Sequence, residues 1–245
     1  MLGAPEAKIV ALLVTAVTEY PAITPPNMPT VKERYMPSRL SIMGHRLLVI
    51  VTRTILWTLV IAEVATAFSA SDLCPHPMGQ LIASLLMCNR PSPQITPQIS
   101  TLSPGFLIGT SLIISGSLLR VYCFRVLGQF FTFELSIRED HKLVTEGPYS
   151  IVRHPSYTAA MFMLVGRVLS TFDRNSWLVA SSGLFPYNEI SLTHTLWSLR
   201  VFALLLAPLI TIRMNSEDEM LEKTFGEEWR AWRQRVPYRL VPGVY

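Results

Sequence analysis

Charge is what this sequence is short of. Only 16% of its 245 residues are Asp, Glu, Lys or Arg, and half are hydrophobic; an ordinary soluble domain has about a quarter charged. Too little polar surface is left to coat a globule of this length, so the missing water-facing area reads as lipid-facing area. Cysteine is scarce as well. Cys74, Cys88 and Cys123 are too few for a disulfide framework, although a Cys74–Cys88 bridge is open to a loop in an oxidising lumen. No C-x-x-C or H-E-x-x-H pattern occurs, and Cys74-Pro75-His76 has no second pair of ligands, so no metal site is expected. The Lys and Arg residues are scattered and form no basic stripe, which argues against a nucleic-acid partner. Neither a Ser-His-Asp nor a Cys-His set for nucleophilic catalysis stands out, and there is no internal repeat.

What the chain does have is a series of apolar runs. Ile9–Ile23 is short and interrupted by Glu19 and Pro21. Leu47–Phe68 contains Arg53 and Glu63, charges that are tolerated at membrane depth when they face protein or water, so a bundle is expected rather than a lone anchor. Gly105–Phe124 carries Gly109, Ser111, Ser115, Gly116 and Ser117, small residues that let helices approach closely. Tyr157–Phe172 and Leu196–Ile212 complete the set, with a kink expected at Pro208. Between them, Ser71–Ser103 is a Pro- and Ser-rich linker whose Leu81–Met87 core is too short to span. Arg90 is its only Lys or Arg. Trp177–Thr195 is partly apolar and free of Lys and Arg, as an interfacial stretch would be.

The expectation is an all-α integral membrane protein, a multi-span helical bundle of about five spans with a cytosolic cofactor pocket and a C-terminal amphipathic helix. Residues 1–104 read as N-terminal membrane spans and linker, and 105–245 as the core that carries the chemistry. With five spans, the segments Thr24–Arg46, Arg125–His154 and Arg213–Tyr245 fall on one side and hold 14 of the 21 Lys and Arg. The positive-inside bias assigns that side to the cytoplasm.

Two polar stretches on that side attract attention. The first is His141–Tyr157, His-Lys-Leu-Val-Thr-Glu-Gly-Pro-Tyr-Ser-Ile-Val-Arg-His-Pro-Ser-Tyr. Gly147-Pro148 is turn punctuation, and Pro155 suits the first turn of a helix. The amides of Ser156 and Tyr157 at such a start are expected to form an anion seat. The second stretch leaves the last span. Arg213 and Glu217 are four apart and share a face if the helix continues. Leu221, Phe225, Trp229, Trp232 and Val236 then form one apolar stripe, weakened at Gly226 and ended at Val236-Pro237.

Three pieces together resemble the isoprenylcysteine carboxyl methyltransferase family. They are Leu127-Gly128-Gln129-Phe130-Phe131-Thr132, then His141-x-Leu143-Val144-Thr145-x-Gly147-x-Tyr149-x-x-x-Arg153-His154-Pro155-Ser156-Tyr157, then Arg213-x-x-x-Glu217-Asp218 with Phe225-Gly226-Glu227-Glu228-Trp229. The resemblance covers about the C-terminal half. It implies a multi-pass protein of the endoplasmic-reticulum membrane with its active site facing the cytosol. It also implies methyl transfer from S-adenosylmethionine to the α-carboxylate of a C-terminal prenylated cysteine on CaaX-processed proteins. The implied cofactor residues are Glu134, His141, Lys142, Leu143, Val144, Tyr149, His154, Pro155, Ser156, Tyr157 and Glu217, and Arg213 would face the substrate carboxylate. Glu134 stands where relatives often have an amide, and Ala159 where they often have Gly. Related membrane methyltransferases and sterol reductases carry versions of the Arg-His-Pro element. A methyltransferase acting on another lipid such as a phospholipid amine, a sterol-reductase-like NADPH enzyme and a non-enzymatic scaffold are therefore the competing readings.

Overall fold

The computed structural model describes residues 3–30, 32–34, 39–88, 99–138, 140–185 and 192–244. Among these the chain is helical, and its one element of β pairing is an isolated antiparallel bridge between Arg34 and Ser136. The helices are α1 (Ala4–Ala22), α2 (Arg39–Ser69), α3 (His76–Leu86), α4 (Pro104–Leu127), α5 (Pro155–Thr171), α6 (Trp177–Ala180), α7 (Leu192–Phe225) and α8 (Glu227–Arg235), with short 3-10 turns at Gly128–Phe130 and Gly147–Ser150. The all-helical membrane architecture read from the sequence is borne out. Val49–Ser69, Pro104–Phe130 and Leu199–Phe225 are long and apolar enough to cross a membrane. The other two expected spans are helices as well, α1 of 19 residues and α5 of 17. Arg90 and residues 186–191 of the Trp177–Thr195 stretch lie outside the described residues.

Local chemistry starts several helices where the sequence signals them. The Ser103 hydroxyl accepts from the Phe106 amide at 3.1 Å and donates to Asp173 at 2.6 Å, capping α4 directly before Pro104. Pro155 opens α5, and the Ser176 hydroxyl caps α6 through the Val179 amide. Pro208 lies inside α7 without ending it. The tail differs from the single helix expected. Gly226 has φ +53°, so α7 stops at Phe225 and α8 starts anew one residue later. A substituted residue would resist that backbone conformation, which is why the chain turns at Gly226.

Two compact units emerge. One comprises Met1–Glu19, Val49–Ile114 and Leu164–Val201; the other comprises Tyr20–Leu48, Ser115–Met163 and Phe202–Tyr245. In the first, Lys8 is 1% exposed; its ammonium lies 2.6 Å from the Glu63 carboxylate and donates to the carbonyls of Ile99 and Asn175. Glu63 accepts from the Trp177 amide as well, and Glu19 pairs with Arg167. The expectation that Glu63 faces protein therefore holds. Gly109 and Gly166 mark a close crossing of α4 and α5: a methyl on Gly109 would sit 2.7 Å from the Gly166 carbonyl oxygen. Cys74 and Cys88, also in this unit, are free thiols.

In the second unit the apolar stripe of the tail is buried against the ends of α4 and α7. Cys123, Tyr149, Trp229, Trp232 and Val236 form the core, flanked by Leu119, Val126, Leu127, Leu143, Leu221 and Phe225. The stripe therefore packs on protein.

Candidate active site

The second unit encloses a cavity of about 250 Å³, lined from three stretches of chain: 130–136, 141–157 and the α7 segment from Arg213 to Leu221. Every residue expected at the site except Pro155 lines it. Pro155 is fully buried behind the wall.

Helical geometry arranges the α7 contribution. Arg213 and Glu217 do share a face, and the Tyr157 phenol lies between them: its hydroxyl donates to Glu217 Oε2 at 2.9 Å and accepts from Arg213 Nε at 3.1 Å. Another arm of the Arg213 guanidinium donates to the Phe133 carbonyl. One residue on from Glu217, a rotation of about 100° turns Asp218 away from the cavity. Asp218 is 5% exposed and holds three cations or donors at once, Arg153 at 2.9 Å, His154 Nε2 at 3.0 Å and Arg239 at 3.0 Å. Sequence reasoning placed Asp218 in the motif but assigned it no role. Its charge, flanked by Glu217 and Glu219, looks like part of a solvated run.

The tail fastens this network from behind. The amides of Arg153 and His154 donate to the carbonyls of Tyr238 and Arg239 at 2.9 and 2.8 Å, and the Thr158 hydroxyl donates to the Leu240 carbonyl at 2.7 Å. Trp232 Nε1 donates to the Tyr149 carbonyl at 3.2 Å. The Arg-His-Pro element is thus held by backbone that comes some eighty residues later, beyond the reach of motif spacing.

Of the two amides expected to seat an anion at the start of α5, that of Tyr157 donates to the His154 carbonyl at 3.1 Å, and the Ser156 hydroxyl and carbonyl are bonded by Arg120 at 3.0 and 2.9 Å. Arg120 thus adds positive charge at this edge. Its guanidinium also donates to the Ala22 carbonyl and lies 5.1 Å from the Phe133 ring centroid. No local signal points to this role for Arg120, which lies 36 residues from Ser156.

The remaining walls are aromatic and apolar. His141 stacks on Phe130 with centroids 4.6 Å apart and faces Phe225 at 5.6 Å. Burial, with Arg138 nearby, pushes the His141 pKa down, so the ring is neutral at neutral pH, and its Nδ1 lies 3.5 Å from the Arg138 amide. Burial pushes the Tyr149 phenol well up, so it stays protonated. Leu143 and Val144 add apolar lining, and Lys142 lies exposed at the rim. Glu134 reaches the cavity, yet its carboxylate pairs with Arg34 at 2.5 Å. The site therefore offers one carboxylate, Glu217, facing a space walled by aromatic and aliphatic groups, with an arginine fork beside it. His154, also in the lining, has its Nε2 bonded to Asp218 and its Nδ1 4.0 Å from Glu217 Oε2.

Residues 107–194 match the sequence model of the isoprenylcysteine carboxyl methyltransferase family, so the resemblance read from the sequence is borne out. The chain is 33% identical over 131 residues to protein-S-isoprenylcysteine O-methyltransferase B of Arabidopsis thaliana, covering 53% of this chain and 55% of that protein. It is 26% identical over 131 residues to a probable protein-S-isoprenylcysteine O-methyltransferase of Oryza sativa subsp. indica, covering 53% and 57%. A protein-S-isoprenylcysteine O-methyltransferase of Dictyostelium discoideum is 26% identical over 151 residues, covering 61% and 54%. The alignments thus span little more than half the length of these relatives.

Proposed function

We propose that the chain, with its match to the isoprenylcysteine carboxyl methyltransferase family, transfers the methyl group of S-adenosylmethionine to the α-carboxylate of a C-terminal prenylated cysteine. The observation that carries this reading is the Tyr157 phenol bonded to Glu217 on one side and Arg213 on the other within one cavity. S-adenosylmethionine supplies a sulfonium-activated methyl electrophile. The lining suits it: Glu217 offers negative charge to its ammonium or acceptors to its ribose hydroxyls, and His141, Tyr149, Leu143 and Val144 offer flat and apolar surface to its base.

A carboxylate is already an ionised nucleophile, so this transfer needs no general base. Arg213 supplies a planar fork matched to a carboxylate, a fit that a lysine ammonium does not reproduce. An amine acceptor would gain nothing from that fork and would have to lose a proton. What remains for the protein is in-line proximity and exclusion of water, worth up to about 7–11 kcal/mol of the barrier. The prenyl chain would lie among apolar side chains, each buried CH₂ stabilising by about 0.8 kcal/mol. The concentration of Lys and Arg in the segments that carry the site supports an active site on the cytosolic face of the endoplasmic-reticulum membrane.

The test is methyl transfer from labelled S-adenosylmethionine, using membranes that contain the full chain and a short prenylcysteine analogue. Base-labile methyl ester is expected with the free carboxylate and none with its amide. Equal labelling of the amide, or labelling of phospholipid amines in its place, overturns the reading.

A further inference from the structure

Glu134 lines the cavity but is turned towards Arg34, a hundred residues earlier in the chain, and this pair carries the inference. The two side chains are 8% and 20% exposed, with Arg34 Nε 2.5 Å from Glu134 Oε2 and Nη2 3.4 Å from Oε1. They belong to a longer seam. Asn27 Nδ2 donates to the carbonyls of Gly128 and Phe131 at 2.9 and 3.0 Å, Arg138 reaches the Met28 carbonyl at 3.3 Å, and the Ile137 amide donates to the Glu33 carbonyl at 2.9 Å. The described stretches 22–30 and 32–34 thus run as a strap along 128–138, which forms one wall of the cavity. Within itself that wall is held by few contacts: the Phe131 amide donates to the Gly128 carbonyl at 3.3 Å, the Phe131 and Phe133 rings meet edge to face at 6.0 Å, and the Thr132 hydroxyl donates to the Glu134 carbonyl at 2.6 Å and meets the Ser136 hydroxyl at 2.8 Å. The Phe133 carbonyl, one residue before Glu134, is the acceptor that orients the Arg213 guanidinium.

We infer that Arg34 is a positioning residue: its ion pair with Glu134 fixes the 128–138 wall and, through the Phe133 carbonyl, the aim of the Arg213 fork. Glu134 on this account is the anchor of the strap and not a ligand of the methyl donor. The inference rests on the methyl-transfer reading for its kinetic consequence, and on geometry alone for its mechanical one.

Backbone hydrogen exchange of 128–138 in detergent-solubilised full chain reads the mechanical part. Arg34→Ala and Glu134→Ala are each expected to speed exchange there at least tenfold, and the exchanged pair Arg34→Glu with Glu134→Arg to bring it back within about threefold of the original. Acceptor kinetics read the other part. Arg34→Ala is expected to lower kcat/KM for the carboxylate acceptor about tenfold, with less than a twofold change in the dissociation constant for S-adenosylmethionine, and the exchanged pair to recover most of the loss. Asn27→Ala, which leaves both charges in place, keeps the test informative should an Arg34 variant fold poorly: it loosens the strap and is expected to shift exchange in the same direction. Unchanged exchange in the Arg34, Glu134 and Asn27 variants overturns the proposal. So does faster exchange with unaltered acceptor kcat/KM, or a Glu134→Ala loss confined to donor affinity. An unsubstituted protein that makes no methyl ester would overturn the methyltransferase reading instead, and exchange alone would then decide whether the strap holds the wall.

Discussion

Two sets of buried charge, one in each compact unit, put the same residue types to different use. In the first unit Lys8 is enclosed by Glu63 and two backbone carbonyls, and Glu19 and Arg167 are likewise paired. Each charge there is paired with an opposite charge inside the protein. In the second unit the answer is incomplete by design of the fold: Asp218 is saturated by Arg153, His154 and Arg239, while Glu217 and Arg213, one turn apart on the same helix, keep a side open to a cavity. A sealed pair is exchangeable for apolar packing of similar shape, whereas an open pair is worth what it does to a ligand. That difference separates a charge enclosed within the protein from one left facing a cavity.

The sharpest way to break the comparison is to disturb the sealed pair. Lys8→Met strands the Glu63 carboxylate and is expected to cost about 3–5 kcal/mol of stability, read as thermal unfolding in detergent. Adding Glu63→Gln, which still accepts from the Trp177 amide, should recover most of that loss, and methyl transfer per folded molecule should stay at its original level in both variants. Arg213→Ala is the counterpart in the open pair. It is expected to leave the unfolding temperature within a few degrees and to remove about 2–5 kcal/mol of acceptor recognition, seen as loss of kcat/KM, with Arg213→Lys recovering only a minor part. Should Lys8→Met/Glu63→Gln abolish turnover of folded protein, or Arg213→Ala leave it intact, the distinction fails.

Packing supplies a charge-free control. A methyl at Gly109 would meet the Gly166 carbonyl oxygen at 2.7 Å, and one at Gly116 would meet the Ala159 carbonyl oxygen at 2.7 Å. Gly109→Ala and Gly116→Ala are each expected to destabilise by about 1–3 kcal/mol. The smallest effect is that of pH at His141. Its folded pKa lies below the ordinary value because burial disfavours the charged ring, so folded protein resists a proton that unfolded chain accepts. Stability is therefore expected to be level above neutral pH. It falls as acid passes the ordinary histidine value of about 6.5 and levels again below the depressed folded value. His141→Phe should flatten that limb in unfolding measurements made across the pH range.

Local pattern made the local parts legible. Apolar runs foretold the helices, the four-residue interval foretold that Arg213 and Glu217 share a face, and Pro155 marked a helix start. Long-range partners were invisible. Nothing near Asp218 says that it faces inward while Glu219, its neighbour, remains 62% exposed; that depends on where Arg153 and His154 lie, some sixty-five residues away. The same holds for Lys8 with Glu63 and for Arg34 with Glu134, which are joined by tertiary approach and by no periodicity. The tail helix was read through Gly226 because its apolar stripe continues across the break, and hydrophobic spacing alone does not register one residue of positive φ. At the expected anion seat, local pattern did not register that the Tyr157 amide closes a short turn onto the His154 carbonyl, nor that Arg120 approaches Ser156 from 36 residues away.

The carbonyls of Tyr238, Arg239 and Leu240 give one more consequence, and it concerns timing. They close loops of more than eighty residues onto the amides of Arg153 and His154 and the hydroxyl of Thr158, and such distant closures are slow to form because the chain must first surrender the freedom of everything between. The binding element thus acquires its final form only after the intervening helices have inserted and the polypeptide has doubled back. A nascent or half-inserted molecule is thereby kept from engaging a ligand before its membrane scaffold is in place.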